Sequence, residues 1–209
     1  MARGVDRDVS SRGFSVTYDY RCPFARNAHE HLVTALQAGA PWDVEFLPFS
    51  LAQVHVEEDR TAVWDDPAKA ADLRATEAGL VVRDNYPDHF FAVHLGFFTA
   101  RHDRSLDLRD EAVVRDVLEA AGVDAGNVLD IVADGGPHDV FRKAHEAAVA
   151  DHQVFGVPTF IVGDAAAFVR IMTRPDGDPS VSRSTIDGVL GMFDGHPELN
   201  EFKHTSISR

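Results

Sequence analysis

The chain holds a single cysteine, and its neighbours are of the kinds that make a sulfur reactive. Arg21-Cys22-Pro23-Phe24-Ala25 sits between an alternating run, Phe14 to Tyr20, and a run to Leu36 with apolar residues at helical spacing. Proline is favoured in the first position of a helix, where its missing N–H would have no partner anyway. Cys22 then falls at the N-cap, facing unpaired backbone N–H groups and the positive end of the helix dipole. Both favour the thiolate, the nucleophilic form of the side chain. The same residue also reads as a small buried hydrophobe, because free cysteine is among the most buried residue types. Spacing alone leaves both readings open.

Arg21 and Arg26 flank the sulfur, and either would favour the thiolate or grip a carboxylate of a thiol cosubstrate. Solvated charge is the alternative, and nothing in the sequence chooses between the two arginines. Asp19 and Tyr20 border the same position without an assigned role. His29 lies one or two turns beyond Cys22, as a proton relay, a counter-cation or simply a packed histidine. Eleven histidines invite a metal reading. His138, His145 and His152 share one helical stripe, but residues seven apart are ~10 Å apart along the axis, too far for one ion. His29 and His31 point to different sides of their helix. No metal is expected. Glu57, Glu58, Asp59, Asp65 and Asp66 read as a solvated loop. Phe90, Phe91, Phe97 and Phe98 read as core, though a helical lid over the thiol would make an apolar pocket from such residues.

The elements that position these groups follow from the patterning. Residues 1–12 read as a disordered leader without the apolar core of a secretory signal. A strand at 14–20, a helix from Cys22 ended by Gly39, and a strand from Trp42 to Phe49 make a β-α-β unit with parallel strands. From Pro67 to His152 there are about five helices and no convincing strand, which reads as an inserted bundle. Pro158 to Val162 and Ala167 to Met172 read as a hairpin around Gly163-Asp164, followed by a turn or flap, Thr173 to Pro179, and a last helix, Ser182 to Phe193. The outer pieces make a four-stranded mixed sheet with helices on its faces. The expected boundaries are 13–62 and 154–203 for the sheet halves and 63–153 for the insert, with 1–12 and 204–209 disordered.

Composition narrows the partners. A net charge of −14 disfavours nucleic acid and anionic membrane surfaces, and no stretch approaches the length of a membrane span. One cysteine allows no internal disulfide, which points to a reducing cytoplasm.

Three features together resemble one family: strand-Cys22-Pro23-Phe24-Ala25-helix, the element order with its helical insert, and Phe155-Gly156-Val157-Pro158-Thr159 leading into a strand. The chain resembles the DsbA-like branch of the thioredoxin superfamily, and within it the cytoplasmic actinobacterial DsbA-type oxidoreductases, including the mycothiol-dependent nitroreductase-like group. The resemblance implies an α/β thioredoxin-like fold with an inserted all-helical subdomain. It implies Cys22 as nucleophile and a cis Val157–Pro158 peptide beside it, with Pro23, Phe24, Val157 and Pro158 lining the substrate site. An ordinary trans proline opening a strand is the alternative.

The departure from the family pattern is at Ala25, where relatives usually carry a second cysteine. Without it no internal disulfide can be stored, and a mixed disulfide at Cys22 needs an outside thiol, mycothiol or glutathione, to release it. The expectation is a monothiol oxidoreductase with no tightly bound cofactor, a small thiol as cosubstrate and a disulfide or small electrophile as substrate. A homodimer is left open. Two other readings stand beside it: an enzyme like the kappa-class glutathione transferases and isomerases, which uses the cofactor's thiol, and a binding module in which Cys22 is inert.

Overall fold

The computed structural model describes residues 11–57 and 59–204. The expected leader and tail, apart from Ser11, Arg12 and His204, and the acid Glu58 lie outside the described residues.

β1 (Arg12–Tyr18) begins two residues earlier than the patterning suggested. Arg12 is therefore part of the sheet and not of a leader. Its guanidinium meets Asp194 at 2.9 Å and the Leu190 carbonyl at 2.9 Å, tying the strand to the last helix. Tyr20, read as strand, lies in the turn that follows. α1 (Pro23–Gln37) ends where Gly39 takes φ +85°, a conformation that costs a glycine little. β2 (Trp42–Pro48) pairs parallel with β1, from Arg12 opposite Trp42 to Tyr18 opposite Pro48. A short α2 (Leu51–Val54) follows, capped by the Ser50 hydroxyl.

The middle of the chain is helical: α3 (Ala70–Asn85), α4 (Phe90–His102), α5 (Glu111–Ala120), α6 (Ala125–Ala133) and α7 (Gly136–His152), with single 3-10 turns before α3 and α4. Asp110 and Asp124 accept N–H groups at the starts of α5 and α6, as short acidic side chains do at an N-cap.

β3 (Thr159–Val162) and β4 (Ala165–Phe168) form the hairpin. β4 lies ahead of its expected span of 167–172, because Gly163-Asp164 makes a two-residue turn that pairs Val162 with Ala165 directly. α8 (Pro179–Gly195) starts on the Asp178 carboxylate, which accepts from Ser180 and Val181 N–H.

The sheet order is β2-β1-β3-β4, parallel between β1 and β2 and antiparallel elsewhere. α1 and α8 pack against each other, α4 packs on α1, and α7 on β2. Val16, Leu32, Val33, Phe160, Ile186 and Leu190 are wholly buried between these layers. Each such side chain contributes about 2 kcal/mol through burial. The same core continues into the helical layer, where Phe90, Phe97 and Phe98 are buried and Phe91 half-buried. They pack around Tyr20, Phe46 and His94, and Phe90 and Phe91 also line a cleft of about 550 Å³ with Trp42 and Phe46, away from Cys22.

Candidate active site

Cys22 is the N-cap of α1, with φ −95° and ψ 119°, and Pro23 is the first helical residue. Its own N–H is taken by the Asp19 carbonyl at 3.0 Å, which fixes the turn between β1 and α1. The sulfur meets a different part of the chain. Cys22 Sγ–H donates to the carbonyl oxygen of Val157 at 3.4 Å, and the Val157–Pro158 peptide is cis. Thr17 holds that loop from β1: its hydroxyl accepts from the Thr159 N–H at 2.8 Å, while the Thr159 hydroxyl donates to the Gly156 carbonyl at 2.7 Å.

Two influences on the thiol oppose each other. Burial pushes the Cys22 thiol up from its ordinary value, since the sulfur is almost covered and charge is costly there. The N–H groups of Ala25 and Phe24 and the charge of Arg170 push it down, and the Asp19 carboxylate pushes it up. Burial wins. The expectation that the helix terminus alone would favour a thiolate is thus corrected: the resting sulfur is a protonated donor to Val157 O.

The neighbouring residues take definite places. Asp19 is buried and structural: one oxygen accepts from Arg21 N–H at 2.9 Å and the other from Leu51 N–H at 3.0 Å, linking the turn to α2. Arg21 lies between Asp19 and Asp72, and Arg26 pairs with Asp103 at 2.7 Å. Both are engaged with acids. Ala25 is buried, while Pro23 is exposed and Phe24 half-buried.

His29 does not serve the thiol. It is wholly buried, and burial lowers its pKa to about 3, so it is neither counter-cation nor proton relay at neutral pH. It belongs to a chain of hydrogen bonds with a single direction. The Thr17 carbonyl can only accept, so His29 Nε2–H donates to it at 3.3 Å. His29 Nδ1 then accepts from His94 Nε2–H at 2.9 Å, and His94 Nδ1 accepts from the Tyr20 hydroxyl at 3.0 Å. Of the stripe of His138, His145 and His152, two are taken up by partners: His138 bridges Glu77 and the Trp64 carbonyl, and His145 Nδ1 accepts from Ser50 N–H, while His152 Nδ1 is buried without a partner among the described residues. Among the described residues no group of acids, histidines and cysteine is placed to hold a metal.

Sequence reasoning missed Arg170. The hairpin register pairs Thr159 with Phe168, and the Val169 N–H donates to the Pro158 carbonyl at 3.0 Å, so Arg170 is carried back beside the Val157–Pro158 loop. Its guanidinium lies over the rings of Phe24, 5.6 Å from the centroid, and Phe168, 5.4 Å. Phe155, exposed, packs against Phe168 and completes an apolar rim. The signal was available in Gly163-Asp164: a two-residue turn sets Arg170 opposite Val157. Two clefts lie elsewhere, one of about 240 Å³ beside Trp64 and Arg142 and one of about 550 Å³ beside Trp42 and Phe91; neither is lined by Cys22.

A family model described as the DSBA-like thioredoxin domain matches residues 88–175, which include the Val157–Pro158 loop and Arg170. No curated protein matches the sequence. Among solved structures the chain is similar to a 2-hydroxychromene-2-carboxylate isomerase, with TM-score 0.61 and 16% identity over 90% of this chain and 100% of that one. It is similar to MdbA, a thiol-disulfide oxidoreductase from Actinomyces oris, with TM-score 0.62 and 15% identity over 90% and 84%. It also matches a probable DsbA oxidoreductase from Streptomyces coelicolor, with TM-score 0.58 and 16% identity over 92% and 93%. The chain has the DsbA-like thioredoxin fold, a four-stranded mixed sheet carrying a helical insertion.

Proposed function

We propose that the protein is a DsbA-like thiol-disulfide oxidoreductase that works with one thiol, Cys22, and borrows its second thiol from a small cosubstrate. The observation that carries this reading is the meeting of the helix N-cap sulfur with the carbonyl of Val157 at 3.4 Å, in a loop that continues into a strand. An extended substrate lying on that loop brings its own sulfur to Cys22, with Val157 offering backbone hydrogen bonds and Pro23, Phe24 and Pro158 forming the walls.

Turnover takes two exchanges. Cys22 gives up its proton, and the thiolate attacks one sulfur of the substrate disulfide; the S–S bond breaks and the departing thiolate takes up a proton. A small thiol, mycothiol or glutathione, then attacks the mixed disulfide as its thiolate. Cys22 leaves and recovers a proton, and the small thiol remains joined to the substrate. The N–H groups of Ala25 and Phe24 and the charge of Arg170 favour the thiolate at both steps, when Cys22 attacks and when it leaves. A single cysteine fits a reducing compartment, which supports a cytoplasmic setting. Among the described residues no helix is long and apolar enough to cross a membrane.

A second reading is favoured by the upward push on the Cys22 thiol. A protonated sulfur at a helix N-cap is a hydrogen-bond donor, suited to holding the thiolate of a bound cofactor that does the chemistry itself, and one similar structure is an isomerase. The Cys22→Ala variant separates the readings. Loss of thiol-dependent reduction of a mixed disulfide supports the oxidoreductase; retention of thiol-dependent conjugation or isomerisation by the variant supports the cofactor-thiol enzyme.

A further inference from the structure

We propose that Arg170 is the specificity-determining residue of this site and selects an incoming thiol that bears a carboxylate. This rests on the monothiol reading above and, of the two thiols named there, selects glutathione-type thiols, since mycothiol bears no carboxylate.

The other arginines near the sulfur are engaged. Arg21 meets Asp19 and Asp72, Arg26 meets Asp103, and Arg174 meets Glu30 and Asp103. Arg170 has no acid within 4.0 Å among the described residues. Glu201, which also feels its charge, is paired with Lys203 at 2.6 Å. Arg170 is exposed, yet it has a defined seat. The planar guanidinium rests on Phe24 and Phe168, an arrangement that leaves its in-plane N–H groups free for a bidentate anion.

The segment beneath it is fastened to α1 at successive points. Asn27 Nδ2–H donates to the Ile171 carbonyl at 3.0 Å, His31 Nε2–H to the Thr173 carbonyl at 3.1 Å, and Arg174 clasps Glu30 through two bonds of 2.6 and 2.7 Å. The same helix that presents Cys22 therefore fixes the backbone that presents Arg170. This matters in a chain of net charge −14, whose general field repels an anionic thiol. Arg170, with no paired acid among the described residues, sets one positive charge that the Cys22 sulfur feels against that repulsion.

The test loads native Cys22 with a methylthio group by reaction with methyl methanethiolsulfonate, then follows by intact mass the return of free Cys22 on attack at the outer sulfur by 3-mercaptopropionate, which carries a carboxylate, and by 2-mercaptoethanol, which does not. Rates are divided by those for a small cysteine–methyl disulfide, which removes the intrinsic difference between the thiols. The expected result is a preference of about tenfold for the carboxylate thiol, lost in Arg170→Gln, partly kept in Arg170→Lys and weakened by salt. Equal corrected rates, or a preference unchanged in Arg170→Gln, overturn the inference and leave the monothiol reading standing. Failure of native Cys22 to load at all overturns both.

Discussion

Cys22 and Val157 lie 135 positions apart in the chain, and the thiol of one donates to the carbonyl of the other at 3.4 Å. The bond brings the start of α1 to the loop before β3, the two segments on which thiol chemistry would depend.

The first consequence concerns ionisation. Burial holds the Cys22 thiol above its ordinary value of 9.0, so its absorbance titration in the folded protein is expected to lie higher than in the unfolded chain. A thiol raised on folding contributes stability below pH 9 that is lost as pH rises through the folded value. Arg170→Gln removes a favourable charge and moves the titration further up. A folded-state titration below that of the unfolded chain contradicts this balance.

Acid acts on a different part of the core. His29, with a folded pKa of about 3, and His94, held well below 6.5, stay neutral where the unfolded chain takes up protons. Stability is therefore expected to fall as pH drops from about 6.5 toward 3, by up to about 1.4 kcal/mol per pH unit for each histidine. His94→Phe leaves the Tyr20 hydroxyl and His29 Nδ1 without partners, at a cost of about 2–3 kcal/mol at neutral pH, yet flattens the acid slope. Denaturant unfolding across pH checks both parts.

Gly79 marks how closely α3 approaches Tyr20. A Cβ at position 79 would stand 2.6 Å from the Tyr20 hydroxyl oxygen. Gly79→Ala is expected to destabilise by about 1–3 kcal/mol. Tyr20→Phe removes the crowding oxygen, so the double variant should lose less than the two single losses combined. A double-mutant cycle that shows simple additivity contradicts the contact.

Arg174 fastens the segment that carries Arg170. Its bonds to Glu30 and Asp103 are partly exposed, so Arg174→Ala is expected to cost only about 1 kcal/mol of global stability. The local effect is larger: amide hydrogen exchange across 170–176 should quicken, while exchange in the β1–β2 pairing stays unchanged. Equal protection in both proteins would show that the segment does not depend on the clasp.

Much of this was legible in the residues. The alternation from Phe14 placed β1, and Pro23 placed Cys22 at the N-cap, because proline suits the first helical position. Ala165-Ala166-Ala167 present no face to read, so patterning puts β4 too far along the chain and does not bring Arg170 to the site. The partnership of His29 with His94 spans 65 positions and three elements, and no period in the sequence links them. The covering of the sulfur was hidden for the same reason: it depends on how the Val157–Pro158 loop packs against α1. A helix N-terminus favours a thiolate only to the extent that burial does not oppose it.

The central claim is that Cys22 is a working nucleophile in the folded protein, and its most direct test is the rate of thiopyridone release from 4,4′-dithiodipyridine, native against denatured, followed by intact mass. The account predicts that the native protein releases one equivalent through Cys22, forms a single adduct that a small thiol then removes, and shows neither event as Cys22→Ala. A native protein that stays silent until denaturant exposes the sulfur would contradict it.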